Sequence, residues 1–242
     1  MDTINIGGRR CQIIKKGTPD CVIYWGIDAQ ERESQEAGET SGSRIERLAA
    51  LLDAELSLRG HAYLLAAYEV ENWNRDFSPW AAPAVFGNED FAGWADRTRR
   101  WLLEEAISCL ETRLCAGGRA DKRFLGGYSL SGLFSLWTFY ESGVFDGVAS
   151  CSGSLWYPGW VEYVRHKAAL KNSLVYLSLG DKEELTRNRA MACVGENTRF
   201  QYELVRRDEH VIKSILEWNR GGHFREPDVR MAKGFAWLVN NS

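Results

Sequence analysis

Apolar residues fall along this chain in short unbroken runs, separated by longer stretches with helical spacing. Cys21-Val22-Ile23-Tyr24-Trp25 is one such run, bounded by the turn Gly17-Thr18-Pro19-Asp20 and by Gly26. A run of this length without alternation predicts a strand buried on both faces, as in a parallel sheet. Residues 62–68, 123–126, 147–150, 174–179 and 214–218 read the same way, and 4–15 reads as an outer strand or hairpin arm. Between these runs the period changes. Ile45, Leu48, Ala49, Leu52 and Leu56 make one apolar face over 44–59, with Ser43 as its cap and Gly60 as its stop. Helices are also expected over 91–114, 131–141, 161–169, 183–195 and 229–239. Residues 28–43 are polar and without period, so they read as a loop, and 69–88 as an irregular stretch with Pro79 and Pro83. Strand alternating with helix implies crossover units, a mainly parallel sheet and helices on both faces. Nothing marks a repeat or a domain boundary, so residues 1–242 read as one α/β domain.

Composition narrows the class. The chain has 242 residues, a formal net charge of −3 and 45% hydrophobic residues. Its basic residues are scattered, which argues against a nucleic-acid or membrane-surface partner. The first fourteen residues mix Asp2, Asn5, Arg9 and Arg10 among apolar ones and lack the core of an export signal. No apolar run approaches bilayer length, so a cytoplasmic protein is expected. Six cysteines occur with no CxxC pair and no zinc-like spacing to a histidine, so reduced thiols and no metal are expected. Ten tryptophans are many for this length; most are expected in the core, some in an aromatic pocket.

The informative segment is Phe124-Leu125-Gly126-Gly127-Tyr128-Ser129-Leu130-Ser131-Gly132-Leu133. It reads as a strand, a glycine turn with serine at its tip, and an apolar helix, which is the setting of a nucleophile elbow. The turn needs small residues two before and two after the serine. Gly127 meets the first need, and Ser131 stands where a second glycine is usual. At the start of a helix, the N–H of Leu130 points toward an oxyanion developing on a bound carbonyl.

A serine hydroxyl needs a base. Of four histidines, His61 precedes an apolar strand, His166 sits among charges and His210 lies in a polar connection. His223 lies in Asn219-Arg220-Gly221-Gly222-His223-Phe224, a glycine loop that follows the last strand and can reach over the sheet edge. The base needs an acid. The preceding strand ends in Gly180-Asp181-Lys182-Glu183-Glu184, where three carboxylates compete. Glu183 is favoured because many hydrolases place the acid three residues after such a glycine; Asp181 and Glu184 stay open. The order Ser129, acid, His223 is that of α/β hydrolases. A second oxyanion donor should follow the early strand, and the N–H of Ile27 is the candidate.

These residues, together with Ser152-Gly153-Ser154-Leu155-Trp156 and Asn72-Trp73-Asn74-Arg75-Asp76-Phe77-Ser78-Pro79-Trp80, resemble the esterase D family of α/β hydrolases and its enterobactin-esterase-like members. The resemblance implies an α/β-hydrolase fold, a Ser-acid-His hydrolase on Ser129, Glu183 and His223, no cofactor, and a small-molecule ester substrate. Trp73, Ser154 and Trp156 are the residues expected to shape the substrate pocket. Two departures stand out: Ser131 replaces glycine, and Trp25-Gly26 replaces the usual His-Gly pair. The rival readings are a thioesterase or amidase using the same triad, and a silent hydrolase fold kept as a binding scaffold. The oligomeric state, including a homo-oligomer, stays open.

Overall fold

A computed structural model describes residues 1–29, 43–56 and 61–242. Most of the loop read at 28–43 and the helix stop read at Gly60 lie outside the described residues. Strands β1 (Asp2–Ile6) and β2 (Arg9–Lys16) form an antiparallel hairpin. The main sheet adds β3 (Cys21–Asp28), β4 (Tyr63–Val70), β7 (Lys122–Tyr128), β8 (Gly147–Cys151), β9 (Ser173–Gly180) and β10 (Val211–Asn219). A separate two-stranded ribbon pairs β5 (Ala81–Ala82) with β6 (Phe91–Ala92). The main sheet has the order β1-β2-β4-β3-β7-β8-β9-β10. β2 meets β4 antiparallel, and every pairing from β4 to β10 is parallel. The mainly parallel sheet is as expected, and its central strands are buried along almost their whole length.

Helices cover both faces. On one side α1 (Arg44–Leu56) and the closing α9 (Pro227–Asn241) pack Ile45, Leu48, Leu52, Met231 and Phe235 against β3, β4, β7 and β8. At the start of α1, Ser43 N–H donates to Glu46 Oε2 at 2.9 Å and Glu46 N–H donates to Ser43 O at 3.0 Å. The other face carries α3 (Ala95–Trp101), a π-helical turn (Leu102–Ala106), α4 (Ile107–Leu114), α5 (Leu130–Glu141) and α8 (Val194–Arg207). Short helices α2 (Trp73–Asp76), α6 (Trp160–Val164) and α7 (Arg189–Ala192) sit in the connections.

Three expected helices need correction. The one read from residue 91 starts at Ala95, because Phe91 and Ala92 are used in the ribbon with β5. That read over 161–169 spans only Trp160–Val164. The segment 183–195 is mostly a 3-10 turn (Glu183–Leu185) and α7, and the long helix α8 follows where none was read.

One ion pair between a buried carboxylate and a half-buried guanidinium fastens α4 to β7. Arg123 Nε and Nη2 lie 2.6 and 2.7 Å from Glu111 Oε1 and Oε2, and Glu111 also accepts from Tyr24 Oη at 3.0 Å and Ala120 N–H at 3.1 Å. Burial pushes the Glu111 carboxyl up, but the Arg123 and Ala120 donors, the Arg123 charge and the Tyr24 hydroxyl leave it below the usual range. Its pKa is lowered on folding, so its contribution is complete above the unfolded carboxylate pKa and is lost as pH falls through the folded one. Glu111→Gln is expected to cost about 3 kcal/mol at pH 7, since it leaves a half-buried guanidinium without its charged partner. Urea unfolding at pH 7 and at low pH checks this: the wild-type advantage should shrink in acid.

Candidate active site

β7 ends at Tyr128 and α5 begins at Leu130, so the whole reversal falls on Ser129. Ser129 has φ 58° and ψ −125°, a conformation that costs a non-glycine residue and persists only where its surroundings enforce it. The turn is tight enough that a Cβ on Gly127 would stand 2.3 Å from Ser131 Oγ. Ser131 is more than a small filler, for its Oγ donates to Gly26 O on β3 at 2.9 Å. Ser129 N–H donates to Cys151 O at 3.1 Å, and Ser129 O accepts from Ser154 N–H at 3.0 Å. The loop after β8 therefore braces the turn. Ser154 Oγ lies 3.3 Å from Ser129 Oγ. Leu130 is the first residue of the twelve-residue helix α5, where backbone N–H groups lack intrahelical acceptors.

His223 arrives on the loop after β10. Gly221 N–H donates to Asp181 Oδ1 at 2.7 Å, and the Tyr128 hydroxyl donates to His223 O in a short contact. His223 Nε2 stands 3.1 Å from Ser129 Oγ, and Nδ1 stands 2.8 Å from Glu183 Oε2.

Of the three carboxylates after β9, the fold brings Glu183 to His223. Asp181 instead holds the glycine loop, and Glu184 forms a two-pronged pair with Arg199 at 3.0 Å for each contact. Glu183 is 8% exposed. Its Oε1 accepts from Gly180 N–H, Ser152 Oγ and Arg230 Nη1, each at 2.7 Å. Burial pushes the carboxyl up, but the His223 hydrogen bond and charge, Ser152 and the Gly180 amide together hold it below the usual range. A Cβ on Gly180 would meet Gly221 O at 2.3 Å and Glu183 Oε1 at 2.8 Å, so only glycine fits there.

The other histidines lie elsewhere. His61 Nε2 is 3.1 Å from Asn240 Oδ1, His166 is an exposed neighbour of Glu162, and His210 lies beside Asp208. Ile27, the candidate second oxyanion donor, sits near the end of β3. Gly26 O faces Ser131, whereas Ala29 N–H donates to Val70 O on β4 at 3.0 Å. Strand alternation then turns the Ile27 amide toward β4, where Ile27 is paired with Glu69. The parity of β3, invisible in the run of residue types, decides this.

A cavity of about 590 Å³ opens above Ser129 and His223, with Trp25, Trp73, Phe86, Trp156 and Phe224 among its walls. Trp73 and Trp156 line this cavity, while Trp80 is used in packing, its Nε1 donating to Pro158 O at 2.8 Å. Asp28, Arg44 and Met191 also line the cavity and carried no recognisable signal. Arg44 Nε donates to Asp228 Oδ1 at 3.0 Å, and its guanidinium lies 5.2 Å from the Trp25 ring. Among the described residues no helix is long and apolar enough to cross a membrane.

The sheet order, the strained serine between β7 and α5 and the histidine loop after the last strand define an α/β-hydrolase fold. No protein-family profile and no curated protein matches the sequence. Solved structures do match. The siderophore hydrolase EstA from Aspergillus nidulans is 16% identical, aligned over 96% of this chain and 90% of its own, with a TM-score of 0.71. An IroE-like serine hydrolase from Shewanella oneidensis is 14% identical over 96% of this chain and 76% of its own, with a TM-score of 0.75. The enterobactin esterase FES from Shigella flexneri is 15% identical over 96% of this chain and 56% of its own, with a TM-score of 0.67. At these identities the likeness establishes the shared fold.

Proposed function

We propose that this chain is a serine hydrolase that cleaves carboxylic esters of small molecules. One observation carries the reading: Ser129 Oγ, His223 and Glu183 form a continuous hydrogen-bond chain at 3.1 and 2.8 Å, with the serine in an elbow at the floor of an open aromatic cavity. In the proposed first step Ser129 Oγ bonds to the ester carbonyl carbon while His223 Nε2 takes its proton. The Leu130 N–H at the start of α5 stabilises the oxyanion. His223 then protonates the departing alkoxide as the C–O bond breaks, and an acyl-serine remains. Water, deprotonated by His223, releases the acid and restores Ser129.

The aromatic walls favour a substrate with ring or branched apolar groups beside the ester. Structurally similar proteins are described as siderophore hydrolases or enterobactin esterases, so ester-linked siderophores are the first natural substrates to test. A fluorophosphonate probe followed by peptide mapping tests the class. Labelling confined to Ser129 supports it; absence of any labelled serine, with no turnover on an ester, thioester and amide panel, overturns it in favour of a scaffold. The same panel separates an esterase from a thioesterase or amidase.

The acid has its own test. Glu183→Gln is expected to lower kcat by roughly 10⁴-fold, the size of effect seen when the third group of a triad loses its charge. Asp181→Asn and Glu184→Gln should stay within about tenfold of wild type, because neither carboxylate meets His223. A uniformly small effect across the three would mean that His223 works without an acid.

A further inference from the structure

The closing helix carries a charge on an otherwise apolar face. Arg230, Gly234 and Leu238 are spaced by four and lie together on the buried side of α9. Arg230 is 2% exposed. A guanidinium at that depth needs a partner for nearly every donor. Its partners come from all parts of the site. Nη1 lies 2.7 Å from Glu183 Oε1, 2.9 Å from Ser152 Oγ and 3.1 Å from Tyr128 Oη. Nη2 donates to Gly222 O at 2.9 Å. Nη1 has two N–H bonds for three acceptors, so at least one is shared. These contacts reach the residue before Ser129, the loop after β8, the carboxylate and the glycine before His223.

We propose that Arg230 is a positioning residue that aligns Glu183 with His223 and fixes the histidine loop. The proposal rests on the triad reading above. A carboxylate on a flexible side chain can turn either oxygen to a neighbour. Here Arg230, Ser152 Oγ and the Gly180 amide all act on Oε1, which leaves Oε2 for His223 Nδ1. The loop is held at the same time through Gly222 O, and through Tyr128, whose hydroxyl takes a bond from Arg230 and gives one to His223 O. Ser152, placed between Arg230 and Glu183, has φ 44°, a value its surroundings must impose. Arg230 is absent from the walls of the cavity above Ser129, so it acts through Glu183 and the loop and leaves substrate contacts alone.

Arg230→Met, Arg230→Lys and the control Lys167→Met test this together with Lys233→Met; Lys167 pairs with Glu141 at 2.6 Å, and Lys233 on the same helix as Arg230 meets Glu217 at 2.6 Å and Asn219 Oδ1 at 3.4 Å without touching Ser129, Glu183 or His223. The measurements are kcat and KM on p-nitrophenyl acetate, the rate of fluorophosphonate labelling at Ser129, and the far-downfield proton resonance of His223 Nδ1–H. Arg230→Met is expected to lower kcat and labelling rate by roughly 10- to 100-fold, less than loss of the acid itself, with KM within about twofold of wild type. The resonance should move or broaden. Arg230→Lys keeps the charge but has one nitrogen where Arg230 uses two, so it should recover part of kcat only. If Arg230→Met does not fold, Arg230→Lys decides, with an expected loss of at least about threefold in kcat. The proposal is overturned if the folded variants keep wild-type kcat and resonance, or if the loss appears in KM alone, or if Lys167→Met or Lys233→Met gives the same loss. A wild-type protein that neither labels nor hydrolyses any ester overturns the hydrolase reading instead, and the resonance still reports whether Arg230 holds Glu183 against His223.

Discussion

Replacing Ser129 with alanine is expected to lower kcat for an activated ester by roughly 10⁶-fold, the scale found when a triad nucleophile is removed in other serine hydrolases. The residual rate would come from the cavity and the helix-start amide, which still bind and polarise a carbonyl. Stability should change by no more than about 0.5 kcal/mol, because the serine hydroxyl is not packed in the core and alanine inherits the same backbone conformation. Fluorophosphonate labelling should vanish with activity. One neighbour needs its own control: Ser154 Oγ, 3.3 Å away, is the hydroxyl best placed to substitute. If Ser129→Ala is still labelled and Ser129→Ala/Ser154→Ala is not, the nucleophile has moved. If Ser129→Ala turns over within tenfold of wild type, the elbow serine is not the nucleophile.

His223→Ala is expected to cost nearly as much, again roughly 10⁶-fold in kcat, since the serine hydroxyl then stays neutral at pH 7. The side chain lines the open cavity, so its removal leaves a space that solvent reaches. Added imidazole should therefore restore a measurable fraction of activity in His223→Ala and none in Ser129→Ala. His61→Ala and His210→Ala provide the comparison, since their contacts are to Asn240 and Asp208. Loss of activity at His210 with retention at His223 would place the base elsewhere.

Legibility from sequence tracked the strength of each local pattern. Runs such as 21–25 and 174–179 disclosed the parallel core because parallel strands are apolar on both faces. Helix α8 escaped because its buried positions Val194, Thr198, Gln201 and Val205 have helical spacing but include two polar residues. Gln201 Nε2 donates to Tyr140 Oη, so a polar side chain is buried there through its amide nitrogen and leaves no hydrophobic trace. Ser129, His223 and Glu183 stand out as candidates because glycines mark their turns, and Gly180 and Gly127 are both forced by close approach. Arg230 was not singled out, although its spacing with Gly234 and Leu238 puts a cation on the buried face. For Ile27 the limit is different, since residue types do not reveal which side of a strand an amide faces.

The serine at position 131 has a consequence for how the molecule opens. A glycine there would leave a passive gap between the start of α5 and β3; the Ser131 hydroxyl instead ties the two together through Gly26 O. The elbow and the strand beside it should then open as one cooperative unit. In native-state hydrogen exchange the amides of β3 and those flanking Ser129 are expected to share one opening free energy. Ser131→Gly should split that single class in two, with the elbow exchanging first.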